Sequence, residues 1–365
     1  MTQKITLIVP LRLTANTHEG ALRLKRLCAT VPRDLYDILI SDYGTEDAHA
    51  GPISALAAEG IDVVSHPAPG KIFSIGHARD FGVQMARQKV TLFNDIDFIA
   101  TPDMYRQIHA EVVRRNIAAN LFDFFCVPVL FLTEAGTTSW FRHVAEQQPF
   151  VERNDVDWLE SVPSDIQFTA FGSSAIVVNR HHYLSLGGHD PDFSGHGAED
   201  YDLLHRLASL APKGPRPHDY YTDYKTNSVR QYWGFRPFFA LYGLEAFQRG
   251  LHLVHLWHPR RKEKGYFRSR PNFRHLKKVM LRFDRNGGMP LPLADLNSGE
   301  RWVVYHAGDT DIALMRQILP FCAAYHFVDA RKSGGADDTK PRLPDSEPPG
   351  YSCCRVCRTR SGWTP

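Results

Sequence analysis

"VTLFNDIDFI", residues 90–99, is an apolar run broken by two aspartates, and the reading of that break decides the fold. Taken as one extended segment, it is a fourth strand with Asp95 and Asp97 toward its carboxyl end. Upstream, "ITLIVPL" (5–11), "YDILISDYG" (36–44) and "IDVVSHP" (61–67) are apolar runs stopped by Pro, Asp or Gly. Helix-compatible stretches separate them, among them "ARDFGVQMARQK" directly before residue 90. Strands alternating with helices predict an α/β protein with a mostly parallel sheet, which binds ligands at the carboxyl ends of its strands. Asp42, Asp95 and Asp97 all fall at such ends.

Downstream, "FFCVPVLFLT" (124–133) and "FGSSAIVVNR" (171–180) are further apolar runs. "EAFQRGLHLVHLWHPRR" (245–261) closes on a histidine pair and leads into a basic stretch, 259–285, whose only acids are Glu263 and Asp284. A segment so charged is expected to face an anion. Residues 298–332 read as strand, helix and strand, a small annex or the start of a second domain. Residues 333–365, rich in Gly, Pro, Asp and Ser, read as a disordered tail.

The 365 residues are 43% hydrophobic and 23% charged with a net charge of +3, which suits one large soluble α/β domain plus an extension. No run reaches the roughly 18 to 20 apolar residues of a membrane span, and "MTQKITLIVPLRL" breaks at a proline too early for a signal peptide. A cytoplasmic protein is expected. Cys28, Cys126 and Cys322 sit in apolar surroundings as reduced core thiols, whereas Cys353, Cys354 and Cys357 form one cluster without a second ligand pair, a weak signal for zinc.

Four groups of residues carry candidate chemistry. Asp95 and Asp97, two apart, share a face if the strand stays extended, and paired carboxylates call for a hard cation such as Mn²⁺ or Mg²⁺ that could also neutralise a diphosphate. The plainer alternative is a strand-end turn. His252, His255 and His258 recur every third residue, within reach of one ion on a helix or tight turn, and imidazole favours Mn²⁺ over Mg²⁺. Arg79 fits either a phosphate or sugar hydroxyl contact, or an ion pair near a helix start. Finally, "GGHDPDFSGHGAEDYDLLHRL" (187–207) places Glu199, Asp200 and Asp202 within four residues at a helix start. The helix dipole explains one such acid well, but three repel one another unless something positive or reactive faces them.

Together with "FGSSAIVVNRHHYLSL" before it, this last segment resembles the acceptor region of β-1,4-galactosyltransferases and of bacterial chondroitin-polymerase-like and capsule glycosyltransferases, where F-G-G, a strand, a helix, N/G-G-F and G-W-G-G-E-D-D-D follow in order. "VPLR" resembles their nucleotide-binding strand end, "FNDIDFI" their metal-binding D-V-D and "HLWH" their late metal-ligand segment, so the likeness spans about residues 5–262. It implies a GT-A fold, the Rossmann-like mixed sheet of nucleotide-diphospho-sugar transferases, over residues 1–297. The nucleotide-sugar half would cover about 1–100 and the acceptor half about 101–262.

The implied reaction is inverting hexosyl transfer from a UDP-sugar, with Mn²⁺ (or Mg²⁺) as cofactor and an oligosaccharide or glycolipid acceptor. Nucleotide-sugar contacts then fall to Pro10, Arg12, Asp42, Arg79 and Asp95, metal ligation to Asp97, His255 and His258, and acceptor binding to Glu199, Gly172 and His196. Asp200 takes the position of the catalytic base. Where the pattern has Trp and Gly, this chain has His196 and Ala198, and Tyr201 interrupts the acidic run, so acceptor choice departs from those relatives. Without an anchor or secretory disulfides, a bacterial surface-polysaccharide enzyme is expected, with 259–285 as a peripheral contact to the anionic inner membrane and no nucleic acid as partner. Two alternatives stay open: a nucleotidyl- or phosphotransferase on the same metal–diphosphate site, and a non-catalytic polyanion binder working through 259–285.

Overall fold

A computed structural model describes residues 3–68, 71–151 and 163–288, and the backbone of 300–306, 326–329 and 354–360. The chain opens with β1 (Ile5–Leu11), α1 (Gly20–Thr30), β2 (Tyr36–Tyr43), α2 (Gly51–Ala58), β3 (Asp62–His66), α3 (Ile75–Met85) and β4 (Val90–Phe93). It continues through β5 (Phe98–Ile99), α4 (Pro102–Arg115), β6 (Phe124–Cys126), β7 (Val129–Leu132), α5 (Glu134–Ala145), β8 (Ile166–Ala170), β9 (Ile176–Asn179) and α6 (Arg180–Ser185). Then come α7 (Glu199–Leu210), α8 (Phe235–Gln248), β10 (Leu253–His255) and α9 (Ser269–Arg285).

The main sheet has the order β3-β2-β1-β4-β9-β6, with β1 to β4 parallel and β9 antiparallel to both of its neighbours. Every residue of β1 and β4 is buried, as expected of strands covered on both faces. Ile5, Leu7, Val9 and Leu11 face one apolar layer, packed with residues of α1, α2 and α4. Ile8 faces the other, built from α6, α7, α8 and α9. The chain leaves β1 toward β2 on one side and returns as β4 on the other, so the crevice past the ends of β1 and β4 is the topological switch point where such sheets bind ligands.

The run at 90–99 is not one strand. β4 ends at Phe93, and β5 belongs to a second sheet of order β5-β10-β7-β8. Asn94 makes the break: its Nδ2 donates to the carbonyls of Asp95 (3.0 Å) and Phe98 (2.9 Å), while the Phe98 amide donates to the Asp95 carbonyl at 2.9 Å. Asp95 and Asp97 therefore occupy a turn, where the two-residue rule for strand faces does not hold. The run at 124–133 likewise divides at Val127–Pro128 into β6 of the main sheet and β7 of the second. In 171–180 only Ile176–Asn179 is strand, because Ser173 ties the preceding loop to the Val127 carbonyl at 2.8 Å.

The basic stretch ends as the amphipathic helix α9, which buries Leu276, Val279, Met280 and Phe283 and leaves Lys277 and Lys278 exposed. Farther on, β11 (Glu300–His306), β12 (His326–Asp329) and β13 (Cys354–Arg360) form a sheet of order β12-β11-β13. The helix expected between β11 and β12 and the side chains of the Cys353/Cys354/Cys357 cluster lie outside the described residues. Among the described residues no helix is long and apolar enough to cross a membrane.

Candidate active site

Arg79 is the hub of the crevice. It projects from α3, whose start is capped by Ser74 Oγ accepting from the His77 amide at 3.4 Å, and it is only 1% exposed. One guanidinium nitrogen donates to both carboxylate oxygens of Asp95 (2.9 and 3.3 Å), and the other lies 3.6 Å from Glu199 Oε1. Burial works against the charge, but Asp95 and Glu199 outweigh it and hold the guanidinium firmly protonated. Ser174 Oγ also donates to Asp95, at 3.3 Å. One buried cation thus links the turn after β4 to the start of α7, which sequence spacing could not reveal.

Asp97 faces the opposite way. The Leu256 amide donates to its carbonyl at 2.9 Å, fixing the turn against β10 and the residues after it. Asp97, His255 and His258 each offer a ligand atom within 4.8 Å of the others, and His258 Nε2 lies 3.4 Å from Asp97 Oδ2. A carboxylate and two imidazoles make a donor set suited to Mn²⁺ or a similar divalent ion. Burial depresses His255 to about 4, so its imidazole is in the neutral, ligating form. Neither a helix nor a tight turn brings the histidines together: His255 ends a strand and His258 follows in irregular backbone. His252 is not part of the group; its Nδ1 pairs with the Gly250 carbonyl at 3.0 Å. Asp95 falls outside that group and is matched to Arg79 instead.

The arginine of Asp97 is Arg23, a buried residue of α1 that also donates to the Trp257 carbonyl at 2.8 Å. It was missed from the sequence, although a signal exists: Arg23 lies on the same helical face as the buried Gly20, Leu24, Leu27 and Cys28, and a charge on an apolar stripe needs a partner.

The loop before α7 runs through left-handed backbone at Gly195, Gly197 and Ala198 (φ of 67°, 116° and 76°). It is held by the His196 amide donating to the Tyr266 carbonyl at 2.6 Å, and by Asn272 Nδ2 donating to the carbonyls of Ser194 (3.1 Å) and Gly197 (2.9 Å). Tyr266 and Asn272 come from the basic stretch and were not anticipated.

The three acids of "AEDYD" then separate. Glu199 turns to Arg79 and accepts from the Gly197 amide at 3.1 Å. Asp202 pairs with the buried Arg206 at 2.7 Å. Asp200 accepts from the neighbouring Tyr201 amide at 2.9 Å and has no ion-pair partner among the described residues. Burial first, and the Glu199 charge second, push its carboxyl up to about 6.

The remaining predicted residues lie at the strand ends beside the crevice or support its loops. Pro10 and Asp42 lie in the last register pairs of β1 and β2, and Asp42 accepts from the Thr45 amide at 3.0 Å. Arg12 donates to the carbonyls of Tyr43 (3.0 Å), Ala68 (3.1 Å) and Lys71 (2.8 Å), so it organises the loops at that end. Gly172 has a packing reason, because a Cβ there would meet Phe239 at 2.9 Å. His196 is exposed, with its ring 5.9 Å from Tyr266 and 5.7 Å from Phe267.

A family model described as "Glycosyltransferase like family 2" matches residues 6–281 and so spans every element of this site. Among curated proteins there is no significant sequence match. Among solved structures, residues 1–349 of S. aureus TarS align with 11% identity and a TM-score of 0.38 over 57% of this chain and 56% of that one. The same fragment in complex with UDP-GlcNAc gives 12% identity and a TM-score of 0.34 over 56% and 52%. The mannosyltransferase PcManGT from Pyrobaculum calidifontis, in complex with GDP-Man and Mn²⁺, gives 12% and 0.36 over 76% of this chain and 69% of that one. The chain thus spans little more than half the length of the TarS fragment.

Proposed function

Because the chain belongs to the glycosyltransferase 2-like family, we propose that it transfers a hexosyl group, with inversion, from a nucleotide-diphosphate sugar to a hydroxyl of a bacterial capsule or other surface polysaccharide. UDP is the proposed nucleotide, and the acceptor an oligosaccharide or glycolipid. The observation that carries the reading is the sorting of acids at the start of α7: two are neutralised by buried arginines, whereas Asp200, its carboxyl raised by burial, has no ion-pair partner among the described residues. Inverting transfer needs such a base, placed to take the proton of the acceptor hydroxyl as its oxygen attacks the anomeric carbon.

Glu199, held by Arg79, is positioned to accept from acceptor hydroxyls. Arg79, by binding Asp95 and Glu199 together, fixes the distance between donor and acceptor sides. Asp97, His255 and His258 would hold a divalent cation, which when bound offsets the diphosphate charge. The glycine-rich loop at 195–198 covers the reacting groups and excludes water. The exposed Arg260, Lys277 and Lys278 are proposed to meet an anionic acceptor or the anionic inner membrane surface.

The test is Asp200→Asn. It should retain donor and metal binding yet lose transfer by on the order of 10² to 10⁴, the usual cost of removing a positioned base. Near-normal single-turnover transfer in a folded Asp200→Asn protein would reduce Asp200 to a helix-start residue.

A further inference from the structure

A second cluster of ligating side chains joins the loop before α7 to α9 and takes no part in the proposed reaction. Asp190 and Asp192 belong to that loop, and His275 to α9. Each of the three offers a ligand atom within 4.8 Å of the others. His275 Nε2 is 3.4 Å from Asp190 Oδ2 and 4.0 Å from Asp192 Oδ2. Ligands around a tetrahedral Zn²⁺, with bonds of about 2.0 to 2.2 Å, stand about 3.4 Å apart, so the cluster is close to coordinating size.

The independent observation is the state of Asp190. Its side chain is 2% exposed, and Oδ1 is used by the Asp192 amide at 2.9 Å. Oδ2, which points toward His275, is buried without a hydrogen bond, and so is His275 Nε2 opposite it. A buried carboxylate oxygen left unbonded is costly, and a cation between these atoms would remove the cost. The guanidinium paired with it among the described residues, Arg282, is 3.7 Å from Oδ2, beyond hydrogen-bond reach, and 54% exposed. The buried ring of Phe193 meets the His275 ring edge to face at 4.8 Å and fixes its plane.

We propose that Asp190, Asp192 and His275 form a Zn²⁺ site that clamps the loop before α7 to α9. One imidazole and two carboxylates fit Zn²⁺, with water or the second Asp192 oxygen completing the shell. The clamp would act on the loop whose end places Glu199 and Asp200. The site is separate from the Asp97, His255 and His258 group and does not depend on the transferase reading.

The test uses the full-length chain stripped of metal and titrated with Zn²⁺ by calorimetry, with bound metal counted after gel filtration. In an Asp97→Ala/His258→Ala background one equivalent of Zn²⁺ should remain, and adding His275→Ala or Asp192→Asn should weaken it by at least tenfold while the far-ultraviolet circular dichroism stays native. Should that background fold poorly, His275→Ala in the otherwise natural chain should lower the Zn²⁺ count by one and abolish the rise in Tm that this equivalent causes. Retention of the full Zn²⁺ count by His275→Ala, or absence of any binding beyond the Asp97 group, would overturn the proposal. Loss of sugar transfer alone bears only on the transferase reading, because metal is counted here without substrate.

Discussion

The turn after β4 and the loop before α7 both gather acids, yet they treat them differently. At the turn, Asp95 and Asp97 are each matched to a buried arginine, Arg79 and Arg23, from helices that cover the parallel sheet. At the loop, Glu199 and Asp202 are matched in the same way, but Asp200 is not. The backbone differs too: hydrogen bonds of Asn94 shape the turn, whereas the loop passes through left-handed φ at a non-glycine residue, Ala198. Under the proposed function, this difference separates the acids that hold the site from the one, without an ion pair among the described residues, that would take the proton.

Arg79 is where the comparison breaks most completely, because both sides lean on it. Arg79→Met removes the partner of Asp95 and Glu199 together, and loss of one member of a buried pair costs about 3 to 5 kcal/mol. Urea unfolding at neutral pH measures this; a change below about 1 kcal/mol would mean that the two carboxylates are compensated from elsewhere.

Asp97→Ala should act on one side alone. It should weaken Mn²⁺ binding by more than about 100-fold, beyond what loss of an outer-shell partner typically costs. Asp200 should keep its raised titration in that variant. Unchanged Mn²⁺ affinity by calorimetry would remove Asp97 from the metal group.

Much of this was legible in the sequence, for physical reasons that name themselves. Strands β1, β2 and β4 are buried almost throughout, so they read as continuous apolar runs, and the order of strands and helices followed, with the edge strand β3 legible only from its Val63 and Val64. The acids and histidines were legible as residue types because few side chains hold a cation or take a proton. Their partners were not. Arg23 is 74 residues from Asp97, and Arg79 reaches Glu199 across the crevice, so neither pair leaves a local pattern. The split of 90–99 was hidden because Asn94 acts through its side chain on the backbone of Asp95 and Phe98, while β-propensity continues on both sides.

The smallest effect sharpens the contrast in backbone. Ala198→Gly relieves a left-handed alanine worth about 1 to 2 kcal/mol, against about 0.5 to 1 kcal/mol of added freedom in the unfolded chain, for a net gain of roughly 0.5 kcal/mol. Thermal unfolding resolves this, and a destabilised Ala198→Gly would show that the alanine methyl packs well enough to offset the strain.

The most direct test of the account is the pH dependence of sugar transfer in a single turnover, with donor and divalent metal saturating. Asp200 acts as a base only when ionised, and burial beside Glu199 pushes its carboxyl up to about 6. Transfer should therefore rise about tenfold per pH unit below that point and level off above it. The residual rate of Asp200→Asn should lack this inflection. A wild-type rate that stays flat from about pH 5 to pH 8, or an inflection that survives in Asp200→Asn, would contradict the assignment of the unpaired acid as the reacting one.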